Sequence, residues 1–210
     1  MAELVVTDDL VGVAVGEFMK AAPRVLALAG GVTPRPFYER LASIEYPWSG
    51  VDVLFTDERC VPPDHPDSNV GMLDRTLFSR LDPPPRVHRM AGETCDADAH
   101  EVALRRTFGA LRLDLAILGL GKDGHTASLF PGDPVLEERV RWVARVTRPD
   151  HPRITLTLPV LSSARLAMFM VAGAEKRDAV ARLVAGEDIP AARVAAERVL
   201  VLADLAAAGA

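Results

Sequence analysis

The stretch Leu113-Asp114-Leu115-Ala116-Ile117-Leu118-Gly119-Leu120-Gly121-Lys122-Asp123-Gly124-His125-Thr126-Ala127-Ser128-Leu129-Phe130-Pro131-Gly132 carries the clearest signal of the fold. Its first six residues form a largely apolar run of strand length, and a glycine-rich turn follows at once. Apolar character of this kind suits a strand buried on both faces, as in parallel sheets covered by helices. In open parallel sheets ligands settle just outside the carboxyl ends of the strands, where this turn lies. The turn carries an aspartate, a histidine, a threonine and a serine. Of these, His125 has an ordinary pKa that lets it take up and return protons near neutral pH. A plainer reading makes the glycines a tight chain reversal and His125 a surface histidine.

On either side of this stretch, strand-like runs recur at Leu4–Val6, Val25–Ala29, Val51–Thr56, Trp142–Val146, Ile154–Leu158, Leu166–Ala172 and Val199–Leu202. Segments with helical spacing lie between several of them, at Leu10–Lys20, Pro36–Ala42, Ala97–Phe108 and Lys176–Ala185. This alternation predicts an α/β fold: an open, mostly parallel, doubly wound (Rossmann-like) sheet flanked by helices, in a single domain over residues 1–210. Three strand-like runs crowd into Trp142–Ala172 with little helix between them, so a small edge β addition is expected there. The proline clusters Pro62-Pro63-Asp64-His65-Pro66 and Asp82-Pro83-Pro84-Pro85 are read as loops. The tail Ala206–Ala210 is expected to fray.

Several of the predicted strands end in polar chemistry. Val25–Ala29 runs into Gly30-Gly31-Val32-Thr33-Pro34, where paired glycines allow close backbone approach and Thr33 reads as a helix N-cap ahead of Pro34. Val51–Thr56 delivers Asp57-Glu58-Arg59, and Arg59 offers a planar fork of donors suited to phosphate or carboxylate. Ser68-Asn69 adds neutral donors or a capping turn. Leu166–Ala172 ends in Gly173-Ala174-Glu175-Lys176-Arg177, which puts Lys176 where a helix begins, an unfavourable place for a cation unless an anion binds there. Individually each feature has a bland explanation; together they describe a pocket for a phosphorylated polyol.

Composition narrows the classes further. Of 210 residues, 49% are hydrophobic, enough for a sizeable core, and the formal net charge of -5 argues against nucleic-acid or membrane-surface binding. No apolar run reaches membrane-spanning length, and Met1–Asp9 lacks the pattern of a secretory signal. The two cysteines, Cys60 and Cys95, show no metal-binding or redox spacing, so a soluble cytoplasmic protein without disulfides or structural zinc is expected. No metal motif is seen and no cofactor is called for. The oligomeric state is left open, leaning to a monomer. Ser128 lacks the G-x-S-x-G surround of a serine hydrolase, and no Walker lysine follows a glycine spacing. Gly119-x-Gly121-x-x-Gly124 matches a dinucleotide fingerprint in spacing, but no acidic residue follows at the right distance, and the match is read as coincidental.

The segments Gly30–Pro34, Thr56–Pro62 with Asp67-Ser68-Asn69, Gly119–Gly132, Arg153–Pro159 and Gly173–Arg177 together resemble the 6-phosphogluconolactonase family, itself similar to the glucosamine-6-phosphate deaminases. The resemblance implies hydrolysis of 6-phospho-D-glucono-1,5-lactone to 6-phosphogluconate, without metal or cofactor, on a small sugar-phosphate substrate. It implies His125 as the catalytic histidine. Gly30, Gly31, Thr33, Asp57, Arg59 and Lys176 become substrate-binding candidates, mainly for the phosphate, with Arg153 a further one. Asp123 either fixes the imidazole tautomer or only caps its turn. Val70 stands where the family pattern leads us to expect an aromatic residue. The deaminases carry a catalytic glutamate seven residues after the aspartate of Asp-Gly-His; here that position is Phe130, which favours the lactonase. A non-catalytic sugar-phosphate sensor is the alternative from another class, and no DNA-binding segment accompanies it.

Overall fold

The computed structural model describes residues 2–209. The ten strands are β1 (Glu3–Val6), β2 (Val25–Leu28), β3 (Asp52–Phe55), β4 (Asp57–Arg59), β5 (Arg86–His88), β6 (Leu115–Leu118), β7 (Val143–Val146), β8 (Arg153–Leu156), β9 (Leu166–Val171) and β10 (Arg198–Ala203). The α-helices are α1 (Leu10–Ala21), α2 (Arg35–Leu41), α3 (Asn69–Thr76), α4 (Ala97–Phe108), α5 (Leu158–Ser162), α6 (Arg177–Ala185) and α7 (Leu205–Ala208). Seven strands form a parallel sheet in the order β1-β10-β9-β6-β2-β3-β5. β3, β6 and β9 are buried along their whole length; β6 and β9 are accordingly apolar throughout, while β3 opens on Asp52, whose carboxylate is met by Arg86 and His88.

From β2 the chain winds outward through β3 to β5, then returns to lay β6 on the other side of β2. This reversal opens a crevice between the carboxyl ends of β2 and β6, the place where open α/β sheets bind ligands. The register pairs Ala27 with Ala116, so three residues further on Gly30 comes level with Gly119. Two glycine-rich turns thus flank one crevice.

The expected edge addition is a separate antiparallel sheet, β4-β8-β7, built on the β7–β8 hairpin. Thr56 hands the chain from one sheet to the other: its N–H donates to Leu28, while its carbonyl accepts from Leu156. Helix starts are set by side-chain caps, Asp9 for Gly12 N, Ser68 for Gly71 N and Asp96 for Ala99 N.

Three expectations are corrected. α2 begins at Arg35 with Pro34 at its N-cap, so Thr33 is a loop residue with no cap bond. The tail to residue 209 is ordered into α7, because Asp204 caps Ala207 N and Ala207 is fully buried; residue 210 lies outside the described residues. Cys60 and Cys95 form a disulfide, with Cα atoms 5.1 Å apart. A separation of 35 residues gives no local signal; the pairing arises because the segment before α4 folds back on the end of β4. A Cβ at Gly92 would stand 2.3 Å from the Arg59 carbonyl oxygen, so glycine is what permits that approach. No helix among the described residues is long and apolar enough to cross a membrane.

Candidate active site

The turn after β6 presents His125. Gly121 N donates to the His125 carbonyl at 2.8 Å and Gly124 N to the Gly121 carbonyl at 3.0 Å, which folds the turn onto itself. A Cβ on Gly121 would lie 2.0 Å from His125 Nδ1, so the imidazole occupies space that only glycine leaves free. Beyond the histidine, Thr126 Oγ1 donates to the Gly119 carbonyl, Ser128 Oγ to Asp57 Oδ2 at 2.6 Å, and Ser128 N to Thr155 Oγ1. The turn is therefore bolted to both sheets.

Asp123 Oδ1 receives the His125 backbone N–H at 3.1 Å and lies 2.6 Å from the ring Nδ1. It both closes the turn and holds the imidazole. Burial pulls its carboxyl upward, but the His125 N–H and ring outweigh that, and its pKa falls below the ordinary value. An ionised carboxylate can only accept, so the Nδ1 N–H donates to it, and Nε2 makes no hydrogen bond among the described residues. Phe130 backs the imidazole, ring centroids 4.4 Å apart, and the Arg148 guanidinium lies 3.8 Å from the centroid of the same phenyl ring. Arg148 is not visible as a site neighbour in the sequence.

A cleft of about 230 Å³ opens beside His125, and Gly30, Gly31, Thr33, Asp57, Arg59, Arg153 and Lys176 all line it. Asp123 stands behind His125 rather than on the wall. Gly31 adopts φ +104°, a conformation that favours glycine, and a Cβ on Gly30 would fall 1.8 Å from Asn69 Oδ1. Asn69, buried on the wall at the start of α3, donates to the Asp57 carbonyl at 2.8 Å. Asp57 itself is committed: it accepts from Ser128 and borders Thr56 and Asn69. It braces the cleft floor instead of reaching for an anion.

Arg59 and Arg153 sit directly opposite each other across β4 and β8. Like charges in register repel. Each has one anchor, Arg59 Nη1 to the Asp67 carbonyl at 2.6 Å and Arg153 Nη2 to Asp150 Oδ2 at 2.5 Å, and each keeps a buried Nε with no partner. Lys176 completes the basic rim from the N-cap position of α6, with no salt bridge among the described residues. Cation pairs with unmet donors and a lysine at a helix start call for an anion.

Glu58 is the support that sequence reading missed. It is buried and accepts from Arg59 N, Ser68 Oγ, Asn69 N and Val70 N, tying β4 to the start of α3. Burial raises its carboxyl pKa despite those donors. A single acidic residue ten places before a Ser-Asn pair offers no short-range signal.

Residues 6–202 match the family described as glucosamine-6-phosphate isomerases/6-phosphogluconolactonase. A 6-phosphogluconolactonase of Synechocystis sp. is 40% identical over 175 residues, covering 79% of this chain and 73% of that protein. The crystal structure of a 6-phosphogluconolactonase from Thermotoga maritima superposes with a TM-score of 0.87 at 28% identity, covering 97% of this chain and all of that one. A monomeric glucosamine-6-phosphate deaminase shares the fold at a TM-score of 0.84 and 23% identity, over 100% of this chain and 99% of that one. The chain belongs to the glucosamine-6-phosphate isomerase/6-phosphogluconolactonase family.

Proposed function

We propose that this chain is a 6-phosphogluconolactonase, hydrolysing 6-phospho-D-glucono-1,5-lactone to 6-phosphogluconate in the oxidative pentose phosphate pathway. The observation that carries the reading is His125 with Nδ1 held by Asp123 at 2.6 Å, at the edge of a cleft rimmed by Arg59, Arg153 and Lys176. The fold is common to lactonases and a deaminase, so the site must discriminate. Phe130, where the deaminases resembled by this sequence carry a glutamate, packs against His125 and cannot manage protons during sugar ring opening.

Lys176, Arg59 and the Gly30–Thr33 turn hold the phosphate, with Arg153 beside Arg59. That anchoring sets C1 near His125. Nε2 removes a proton from the water that attacks C1, and the imidazolium returns it to the ring oxygen as the C1–O bond breaks. Asp123 keeps the tautomer and stabilises the imidazolium; Asp57 is a positioning residue. The same reading takes residues 1–210 as one catalytic domain acting in the cytoplasm on a small sugar phosphate, with no nucleic-acid partner.

The product is a carboxylic acid, so generating the lactone in situ and recording acid release tests the proposal. Acceleration over the spontaneous rate is expected. Ammonia release from glucosamine 6-phosphate without lactone hydrolysis would move the chain to the deaminases, and neither activity would revive the sensor.

A further inference from the structure

Outside the cleft, two segments 84 residues apart in sequence bring three metal-ligating side chains together. His65 and Asp67 stand on the loop before α3, and His151 on the β7–β8 turn. Their candidate ligand atoms all lie within 4.8 Å of one another. His151 Nε2 is 3.2 Å from Asp67 Oδ2, and His65 Nδ1 is 3.8 Å from the same oxygen. Ligands about 2.0–2.2 Å from a tetrahedral zinc stand roughly 3.4 Å apart, so both spacings suit a shared ion after small side-chain movements. The Asp67 N–H donates to His65 Nδ1 at 3.1 Å, which places that ring's proton on Nε2 and leaves a lone pair on Nδ1 for a metal to take over. The loops are stiff, with Pro62, Pro63 and Pro66 on one and Pro152 on the other, so less freedom is lost when an ion closes them.

We propose that His65 Nδ1, Asp67 Oδ2 and His151 Nε2 form a site for a divalent transition-metal ion of the zinc class, with water completing its shell. Two imidazoles and one carboxylate select zinc, cobalt or nickel over calcium and magnesium, which prefer all-oxygen shells. No sequence motif announces these three residues, because the third comes from a distant turn. Asp67 also receives Arg59 through its carbonyl, so an ion on its carboxylate stiffens the loop that steadies this arginine at the cleft.

The test uses the disulfide-intact full chain, with zinc or cobalt as the only added ligand. Calorimetric titration should give one zinc per chain, and cobalt should show the intense visible bands of a four-coordinate ion. His65→Ala and His151→Ala should each weaken zinc binding by about tenfold or more, judging from the tenfold to hundredfold losses seen even for residues that only support metal ligands. His125→Ala should bind zinc like the wild type. Zinc should raise the melting temperature of the wild type but not of His151→Ala. If either histidine variant folds poorly, Asp67→Asn with the cobalt spectrum gives the same decision. No saturable binding, binding unchanged in both histidine variants, or binding lost in His125→Ala would overturn the site.

Discussion

His125 Nδ1 is engaged by Asp123 Oδ1 at 2.6 Å, so the proposed mechanism assigns the proton transfer to Nε2, and substitution tests that assignment. Removing the base in His125→Ala should lower kcat by roughly 10²–10⁴ with little change in KM, the usual worth of a general base; an unchanged kcat would take His125 out of the mechanism. The basic rim should answer differently. Arg59 and Lys176 are proposed to grip the phosphate equally in ground and transition states, so their loss should appear in KM. Charge-assisted hydrogen bonds are worth about 1.5–3 kcal/mol, and Lys176→Ala should therefore raise KM roughly tenfold to a hundredfold at nearly constant kcat. A Lys176→Ala enzyme with wild-type affinity for 6-phosphogluconate would remove that anchor.

At the scale of elements, the turn after β6 works because Gly121 leaves the imidazole its place. An alanine there would put Cβ 2.0 Å from Nδ1, and Gly121→Ala should reduce kcat towards the level of His125→Ala while the melting temperature stays near the wild type's. Wild-type turnover in that variant would mean the ring finds another productive pose. The disulfide makes the second prediction. It closes a loop of 35 residues between the end of β4 and the segment before α4, and chain entropy assigns such a loop about 3–4 kcal/mol. Cys95→Ser, or reduction of the wild type, should lower unfolding stability by up to that amount; equal denaturation midpoints for oxidised and reduced protein would show that the bridge contributes nothing. These elements also mark what could be read from sequence. β6 and its turn were legible because an apolar run ending in glycines is a local pattern, and so were β2, β3, β9 and four helices. β4 and β5, three residues each, were not, since their pairing depends on Thr56 crossing between sheets and on Arg86 meeting Asp52. Asp123, Arg59 and Lys176 announced themselves beside glycines or strand ends. Glu58, Arg148 and the Cys60–Cys95 pair did not, because each acts on a partner brought near only by the tertiary fold.

For the molecule as a whole, the site and the stability are set by different parts of the sheet. The crevice between β2 and β6 belongs to the winding order, while α4 on the flank carries a histidine whose protonation the fold resists. His100 Nε2 is buried without a partner, and burial, aided by repulsion from His88, lowers its pKa to about 4 from an ordinary 6.5. A base with a depressed folded pKa binds its proton more readily when the chain is unfolded. Its contribution is therefore complete above pH 6.5 and is lost as the pH falls from 6.5 towards 4. The depression amounts to as much as about 3 kcal/mol by pH 4. Carboxylates of the same sign act lower: Glu101, whose burial is outweighed by Arg105 and Arg141, loses its contribution only below its ordinary 4.5. Denaturant unfolding between pH 7 and 4.5 should therefore show stability falling with pH in the wild type, and the slope should shrink in His100→Gln, which cannot take up a proton. An identical slope in that variant would place the acid sensitivity elsewhere. Because α4 contributes no residue to the cleft lining, the same substitution should leave KM for the lactone unchanged, separating the acid sensitivity of the fold from the working of the site.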